Sequence, residues 1–114
     1  MQKIIFDFSN KTAIVTGGAQ GFGLDIAKRF LNSGAKVIIW DVDTEILEKA
    51  KKELNNPNLS SNVVDVSQYE DVENCVNEII KDNKIDILIN NAGITGPTES
   101  LWEYDVEMWK KIID

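Results

Sequence analysis

Thr12-Ala13-Ile14-Val15-Thr16-Gly17-Gly18-Ala19-Gln20-Gly21-Phe22-Gly23 passes from a short β-branched run, through a turn dense in glycine, into a helical pattern. Thr12 to Thr16 has the length and branching of a buried strand, and Gly17 ends it. From Gln20 onward Ile26, Ala27, Phe30 and Leu31 recur at helical spacing, until Gly34 supplies a residue that tolerates the left-handed conformation at a helix end. A strand, a glycine turn and a helix in immediate succession form one unit.

The same rhythm continues downstream. Lys36-Val37-Ile38-Ile39-Trp40 reads as a second strand ending at Asp41, and Asp43 or Thr44 can cap a helix with apolar positions Ile46, Leu47, Ala50 and Leu54. Asn55-Asn56-Pro57-Asn58 breaks that helix. Val63-Val64-Asp65-Val66 reads as a third strand. Ser67 and Glu70 follow at capping-box spacing, before a helix whose buried face is Val72, Cys75, Val76, Ile79 and Ile80. Ile85-Asp86-Ile87-Leu88-Ile89 is a fourth strand, leading into Asn90-Asn91-Ala92-Gly93. A last helix is expected from about Asp105, with Trp109, Ile112 and Ile113 on one face.

Strands alternating with helices imply an α/β fold with a parallel sheet covered on both faces. Right-handed crossovers place the first two helices on one face and the third on the other. The expected architecture is a Rossmann-type doubly wound parallel sheet with strand order 3-2-1-4, incomplete because its remaining strands are absent from the chain. At 114 residues the expectation is a single, truncated domain over 1–114. In such sheets ligands bind beyond the carboxyl ends of the strands, beside the reversal of strand order. The turns after the first and fourth strands are therefore where chemistry is expected.

The turn after the first strand suits a pyrophosphate. Backbone N–H groups at a helix N-terminus stabilise an anion, and glycines let it come close. The run departs from Gly-x-Gly-x-x-Gly because Ile26 stands where the last glycine would, and it lacks the Gly-Lys-Ser/Thr ending of a Walker A loop. Asp41, about 20 residues beyond the turn, is placed where an acidic side chain meets an adenosine ribose. A carboxylate there accepts hydrogen bonds from both ribose hydroxyls and repels a 2′-phosphate. Neither Gln20 nor Val42 supplies the positive charge that a 2′-phosphate requires, so the cofactor expected is NAD rather than NADP. The competing reading is that Asp41 only begins a turn.

Composition narrows the class further. A net charge of −7, spread along the chain, argues against nucleic acid or an anionic membrane as partner. No apolar run is long enough for a signal segment or a membrane span, and the expected location is cytoplasmic. With one cysteine and no histidine, neither an intrachain disulfide nor a cysteine-based metal site is available, and no metal is expected. Cys75 reads as core on an apolar helix face, and Trp40 as sheet packing. Trp102 and Tyr104 read as packing residues, and Glu45, Glu48, Glu53, Glu73 and Glu78 as solvated helix faces.

Thr16-Gly17-x-x-x-Gly21-x-Gly23, together with Asn90-Asn91-Ala92-Gly93 after a buried fourth strand, resembles the short-chain dehydrogenase/reductase family. The resemblance runs from about Lys11 to the end of the chain. It implies that Gly17, Gly21, Phe22 and Gly23, with Gln20 among them, hold the pyrophosphate. It further implies that Asp41 selects NAD, that Asp65 and Val66 contact adenine, and that Asn90, Asn91, Ala92 and Gly93 brace the sheet and line the nicotinamide ribose. A local alternative for Asp65 is a helix-start residue beside Ser67. The implied reaction is hydride transfer between nicotinamide and a small alcohol or carbonyl substrate, and the full-length parent is expected to be a homo-oligomer.

The family's catalytic tyrosine is followed four residues later by a lysine, with a serine upstream. Here Tyr69 is followed at that distance by Glu73 and Tyr104 by Met108, so no catalytic residue is assigned within 1–114. The expectation is a fragment of a longer reductase, whose fourth strand would be an apolar edge prone to aggregation. A non-catalytic NAD-binding regulatory module and an inert gene fragment are the alternatives. A methyltransferase, which also uses a glycine turn and an acidic strand end, fits the Asn-Asn-Ala-Gly segment poorly.

Overall fold

The first strand, β1 (Thr12–Thr16), is buried along its whole length, as a β-branched run must be when it lies between two neighbours with helices on both faces. The computed structural model describes residues 7–91. Within them α1 (Gly21–Asn32), β2 (Lys36–Asp41), α2 (Thr44–Leu54), β3 (Leu59–Val63), α3 (Tyr69–Ile79) and β4 (Ile87–Asn90) follow in turn. The strands form one sheet in the order β3-β2-β1-β4, all pairs parallel. This is the α/β, Rossmann-type arrangement expected. The last helix, with Trp109, Ile112 and Ile113, lies outside the described residues, as do Ala92, Gly93, Trp102 and Tyr104.

Alternation along the strands sorts the core into two layers, since successive side chains point to opposite faces. Val15, Val37 and Ile39 pack with Ala27 and Leu31 of α1 and Leu47 and Ala50 of α2. Ile14, Ile38 and Trp40 pack with Val72, Val76 and Ile79 of α3. Two helices therefore cover one face and the third covers the other. Before β1, Phe8 rests edge-on against Phe30, ring centroids 5.4 Å apart, and its N–H donates to the Ser33 carbonyl at 2.8 Å.

Four expectations are corrected, the last of them at the fourth strand. The third strand is Leu59–Val63, not Val63–Val66. It pairs only with β2 among the described strands, and Ser60, Ser61 and Asn62 are tolerated because much of it faces solvent. The apolar signal that drew the boundary downstream comes from Val64, which is 3% exposed and enters the core beside Trp40 after the strand has ended. The capping box at Ser67 and Glu70 is not formed: α3 starts at Tyr69 with Gln68 as N-cap and no side-chain cap bond. Ser67 instead donates its hydroxyl to Asp65 Oδ1 at 2.6 Å, a charge-assisted bond stronger than a neutral cap. Ile80 is exposed, because α3 ends at Ile79 and Ile80 turns outward as its C-cap.

The fourth strand begins later than expected. Ile85 is buried ahead of it, and Asp86 exchanges two bonds with Thr12, Oδ2 accepting the Thr12 N–H at 3.0 Å and its own N–H donating to the Thr12 carbonyl at 2.9 Å. That pair fixes the register from which Ala13 meets Ile87 and Thr16 meets Asn90. No helix among the described residues is long and apolar enough to cross a membrane.

Candidate cofactor site

Register brings the singled-out residues to one edge of the sheet. Thr16 lies beside Trp40 on one side and Asn90 on the other, and Asp41 lies beside Val63. The carboxyl ends of all four strands thus share a rim, with the glycine turn at its centre where the strand order reverses. Gly17 donates its N–H to the Trp40 carbonyl at 2.7 Å, and Gly18 donates to the same oxygen at 3.3 Å. The turn is therefore bonded to the residue directly before Asp41.

The opposite side of the turn is bonded to the end of β4. The Thr16 hydroxyl accepts the Asn91 N–H at 2.9 Å and sits 3.0 Å from Asn90 Oδ1 and 3.4 Å from the Ile89 carbonyl. A hydroxyl has one proton to give, and the shorter contact is the better acceptor. Asn91 Nδ2 donates to the Gly17 carbonyl at 3.3 Å. Asn90 and Asn91 therefore brace the two central strands and the loop between them. Thr16 is the partner that sequence reading passed over. Its signal was a hydroxyl residue at the end of a buried strand, opposite a polar pair at the end of another.

The turn leaves room on its outer side and none on its inner side. Nothing stands within 4 Å of the place a Cβ would take on Gly21, whose φ is +61°. A Cβ on Gly23 would run into the Gly17 carbonyl and stand 2.8 Å from Asn91 Nδ2. Gly23 thus lets α1 approach β1 and β4 closely, and Gly21 gives the turn its left-handed bend.

The start of α1 is open as well. The first N–H groups of a helix have no partner within it, and those of Gly21, Phe22 and Gly23 have no acceptor among the described residues. Gln20 is the N-cap, extended at φ −158° and ψ 164°, and its side chain makes no cap bond; the first turn carries no acidic residue. Phe22 is 81% exposed and borders a cleft of about 560 Å³ that runs between α1 and α2 past Leu24, Lys28, Leu31 and Leu54. Gly21 and Phe22 stand at one limit of this cleft, and no strand residue lines it. An open donor set, space at Gly21 and close approach at Gly23 fit a bound pyrophosphate.

At the end of β2, Asp41 Oδ1 accepts the N–H of Val42 at 2.8 Å and of Asp43 at 3.3 Å. The turn-forming role is therefore present. Oδ2 has no hydrogen bond among the described residues, and the side chain is half-buried. Among the described residues the carboxylate is thus held by one oxygen only. Asp43, rather than Thr44, caps α2, its Oδ1 accepting from Glu45 N at 2.9 Å and Ile46 N at 3.2 Å.

Beyond β3, Asp65 Oδ1 accepts both the hydroxyl and the N–H of Ser67. The hydroxyl first, and then the N–H, hold its carboxyl below the usual aspartate range. Val66 follows, half-buried against the α3-side core. Cys75 lies in that same layer, where burial pushes its thiol up to about 11, opposed in part by the Trp40 indole N–H and reinforced by Glu78. A thiol raised in this way is less reactive than a free one, in keeping with its place against the apolar layer.

Comparison with known proteins covers this whole framework. A family model for short chain dehydrogenase matches residues 11–114. The 2-dehydro-3-deoxy-L-rhamnonate dehydrogenase (NAD(+)) of Sphingomonas sp. (strain SKA58) is 34% identical over 94% of this chain and 43% of its own length. A short chain dehydrogenase from Bacillus anthracis str. 'Ames Ancestor' superposes with a TM-score of 0.72 at 34% identity, covering 92% of this chain and 43% of that one. The Pseudomonas aeruginosa RhlG/NADP active-site complex superposes with a TM-score of 0.73 at 29% identity, covering 97% of this chain and 44% of that one. The chain thus spans less than half the length of each of these relatives. A match running through every described strand and both loops at the strand reversal places this chain in the short-chain dehydrogenase family.

Proposed function

We propose that residues 1–114 form the NAD(H)-binding part of an oxidoreductase that transfers hydride between nicotinamide and a small alcohol or carbonyl substrate. The observation that carries this reading is Asp41. Its carboxylate is fixed at the end of β2 by Oδ1, with Oδ2 presented, and it follows the residue whose carbonyl holds the glycine turn. A ribose diol meeting that oxygen would gain hydrogen bonds to a charged acceptor, each contributing about 1.5–3 kcal/mol. A 2′-phosphate would meet like charge. Preference for NADH over NADPH of about 10- to 100-fold follows.

The chain's other groups have definite tasks in this reading. The N–H groups of Gly21, Phe22 and Gly23 would hold the pyrophosphate, with the extended Gln20 at its side. Asp65 and Val66 would border the adenine, and Asn90, Asn91, Ala92 and Gly93 the nicotinamide ribose. The bound nicotinamide would supply the hydride donor or acceptor. This chain would bind and orient it, while the proton-transferring side chains would be supplied from outside 1–114.

Titration of the purified chain with NADH and separately with NADPH, followed by quenching of tryptophan emission, tests the proposal. Trp40 is a built-in reporter, directly preceding Asp41. Saturable binding that favours NADH is expected, and Asp41→Ala should cost NADH about tenfold while narrowing the gap to NADPH. Equal affinities for the two cofactors in the unsubstituted chain, unchanged in Asp41→Ala, would overturn the assignment of Asp41.

A further inference from the structure

The selecting carboxylate is not held by its own residue alone. Between β2 and α2 the backbone is pinned at three successive points. The Asp41 carbonyl accepts the Val64 N–H at 3.0 Å, tying the end of β2 to the chain just beyond β3. Asp41 Oδ1 accepts the N–H groups of Val42 and Asp43. Asp43 Oδ1 accepts the N–H groups of Glu45 and Ile46, and the Asp43 carbonyl accepts the Leu47 N–H at 3.0 Å. Asp43 thus occupies both ends of the linkage, its N–H directed at Asp41 and its carboxylate at the first turn of α2. The helix itself is anchored on the sheet by Leu47 and Ala50, 2% and 1% exposed.

From this arrangement we infer that Asp43 is a positioning residue for cofactor selection. By capping α2 it sets the direction of its own N–H and, through that bond, the rotamer in which Asp41 presents Oδ2 to the ribose. The inference rests on the reading of Asp41 as the ribose acceptor and extends it to a residue that touches no part of the cofactor. A capping aspartate fixes the backbone of the residue it belongs to, because the cap requires extended backbone at that residue, here φ −101° and ψ 109°. Without the cap the first turn of α2 frays, and the Asp43 N–H is no longer held towards Asp41. The Asp41 carboxylate then samples rotamers in which neither oxygen faces the ribose. The effect comes through geometry and not through the Asp43 charge, which is directed at the helix N–H groups.

The test compares NADH and NADPH dissociation constants for the unsubstituted chain and for Asp43→Ala, Asp43→Asn, Asp41→Ala and Lys49→Gly. Asp43→Ala should lower the selectivity for NADH by roughly three- to tenfold. Asp43→Asn should restore it, since asparagine caps as well as aspartate without the charge. Lys49→Gly, at an exposed position, weakens α2 from its interior without touching its anchor and should leave the selectivity alone, which separates positioning from loss of stability. An effect in Asp41→Ala with none in Asp43→Ala would overturn the inference while sparing the cofactor reading. No effect in Asp41→Ala, or no saturable binding at all, would overturn both. Asp43→Asn behaving like Asp43→Ala would show that charge acts rather than geometry, and would also overturn the inference. Amide hydrogen exchange supplies a readout without cofactor: the Val42 and residue 43 amides should exchange faster in Asp43→Ala and at the original rate in Asp43→Asn.

Discussion

The starts of α1 and α2 face the same rim of the sheet and are built in opposite ways. At α2 the Asp43 carboxylate takes two of the free N–H groups, and Glu45 adds a negative charge to the first turn. At α1 the N-cap is Gln20 with no cap bond, and the first turn holds two glycines, a phenylalanine and no acid. A cap contributes about 1 kcal/mol, and an acid near the positive helix end a few tenths more. The chain takes that stabilisation at one helix and forgoes it at the other. What α1 lacks locally it receives from across the sheet, where Asn91 holds the Gly17 carbonyl and Thr16 holds the Asn91 N–H. A helix start left open but rigidly supported suits a ligand that itself supplies the anion.

The strongest blow to this contrast is Gly23→Ala. The added methyl would meet the Gly17 carbonyl, a backbone atom that cannot swing aside, so α1 should be forced from β1 and stability should fall by about 3 kcal/mol. Chemical denaturation measures the loss, and near-normal stability would show that the close approach is not tight. Thr16→Val comes next. It keeps the shape of a 4% exposed side chain but strands the Asn91 N–H, and a loss of about 2 kcal/mol is expected. Because the support of α1 runs through this hydroxyl, cofactor binding should weaken along with it. Undiminished binding would dissociate the β1–β4 brace from the turn.

Gln20→Asp would make the start of α1 resemble that of α2. The extended backbone at Gln20 already suits a cap, so the chain should gain about 1 kcal/mol. The new carboxylate would occupy the N–H groups and repel a pyrophosphate, so NADH affinity should drop as thermal stability rises. A stability gain with unaltered affinity would detach the open helix start from cofactor binding. Ser67→Ala has the smallest expected effect and concerns the third helix start. Losing the hydroxyl bond should raise the Asp65 carboxyl towards its usual range, as an NMR titration would record. Since that carboxyl is lowered in the folded chain, its stabilising contribution exists above the usual carboxylate range and fades as pH falls through the depressed value. The stability difference between unsubstituted chain and variant should therefore shrink in acid.

Legibility in the sequence followed how local each cause is. Buried strands such as Thr12–Thr16 and Lys36–Asp41 announce themselves because both faces are covered and nearly every residue must be apolar. The partly exposed strand Leu59–Val63 does not, because Ser60, Ser61 and Asn62 are exposed or only half-buried and the apolar signal shifts to Val64. The positions of the glycine turn and of Asp41, at the ends of β1 and β2, were readable from spacing alone. The choice between Asp43 and Thr44 as cap, and between Ser67 and Gln68, was not, because each depends on which neighbouring acceptor competes for the same donor. The hydrogen-bonding role of Thr16 went unread because its partners lie more than seventy residues away.

By itself the sequence determined the alternation of strand and helix, the two-faced core and the strand order, since period, β-branching and the handedness of crossovers act along the chain or through general sterics. The tertiary structure decided which groups at the rim are held and which are left open. Thr16 and Asn91 were joined across the sheet, Asp41 was fixed by one oxygen, and the first N–H groups of α1 have no acceptor among the described residues. Each depends on distances between residues remote in sequence, and hydrogen bonding falls away within a fraction of an ångström. Only the packed sheet, with its register set at Thr12 and Asp86, fixes distances that finely.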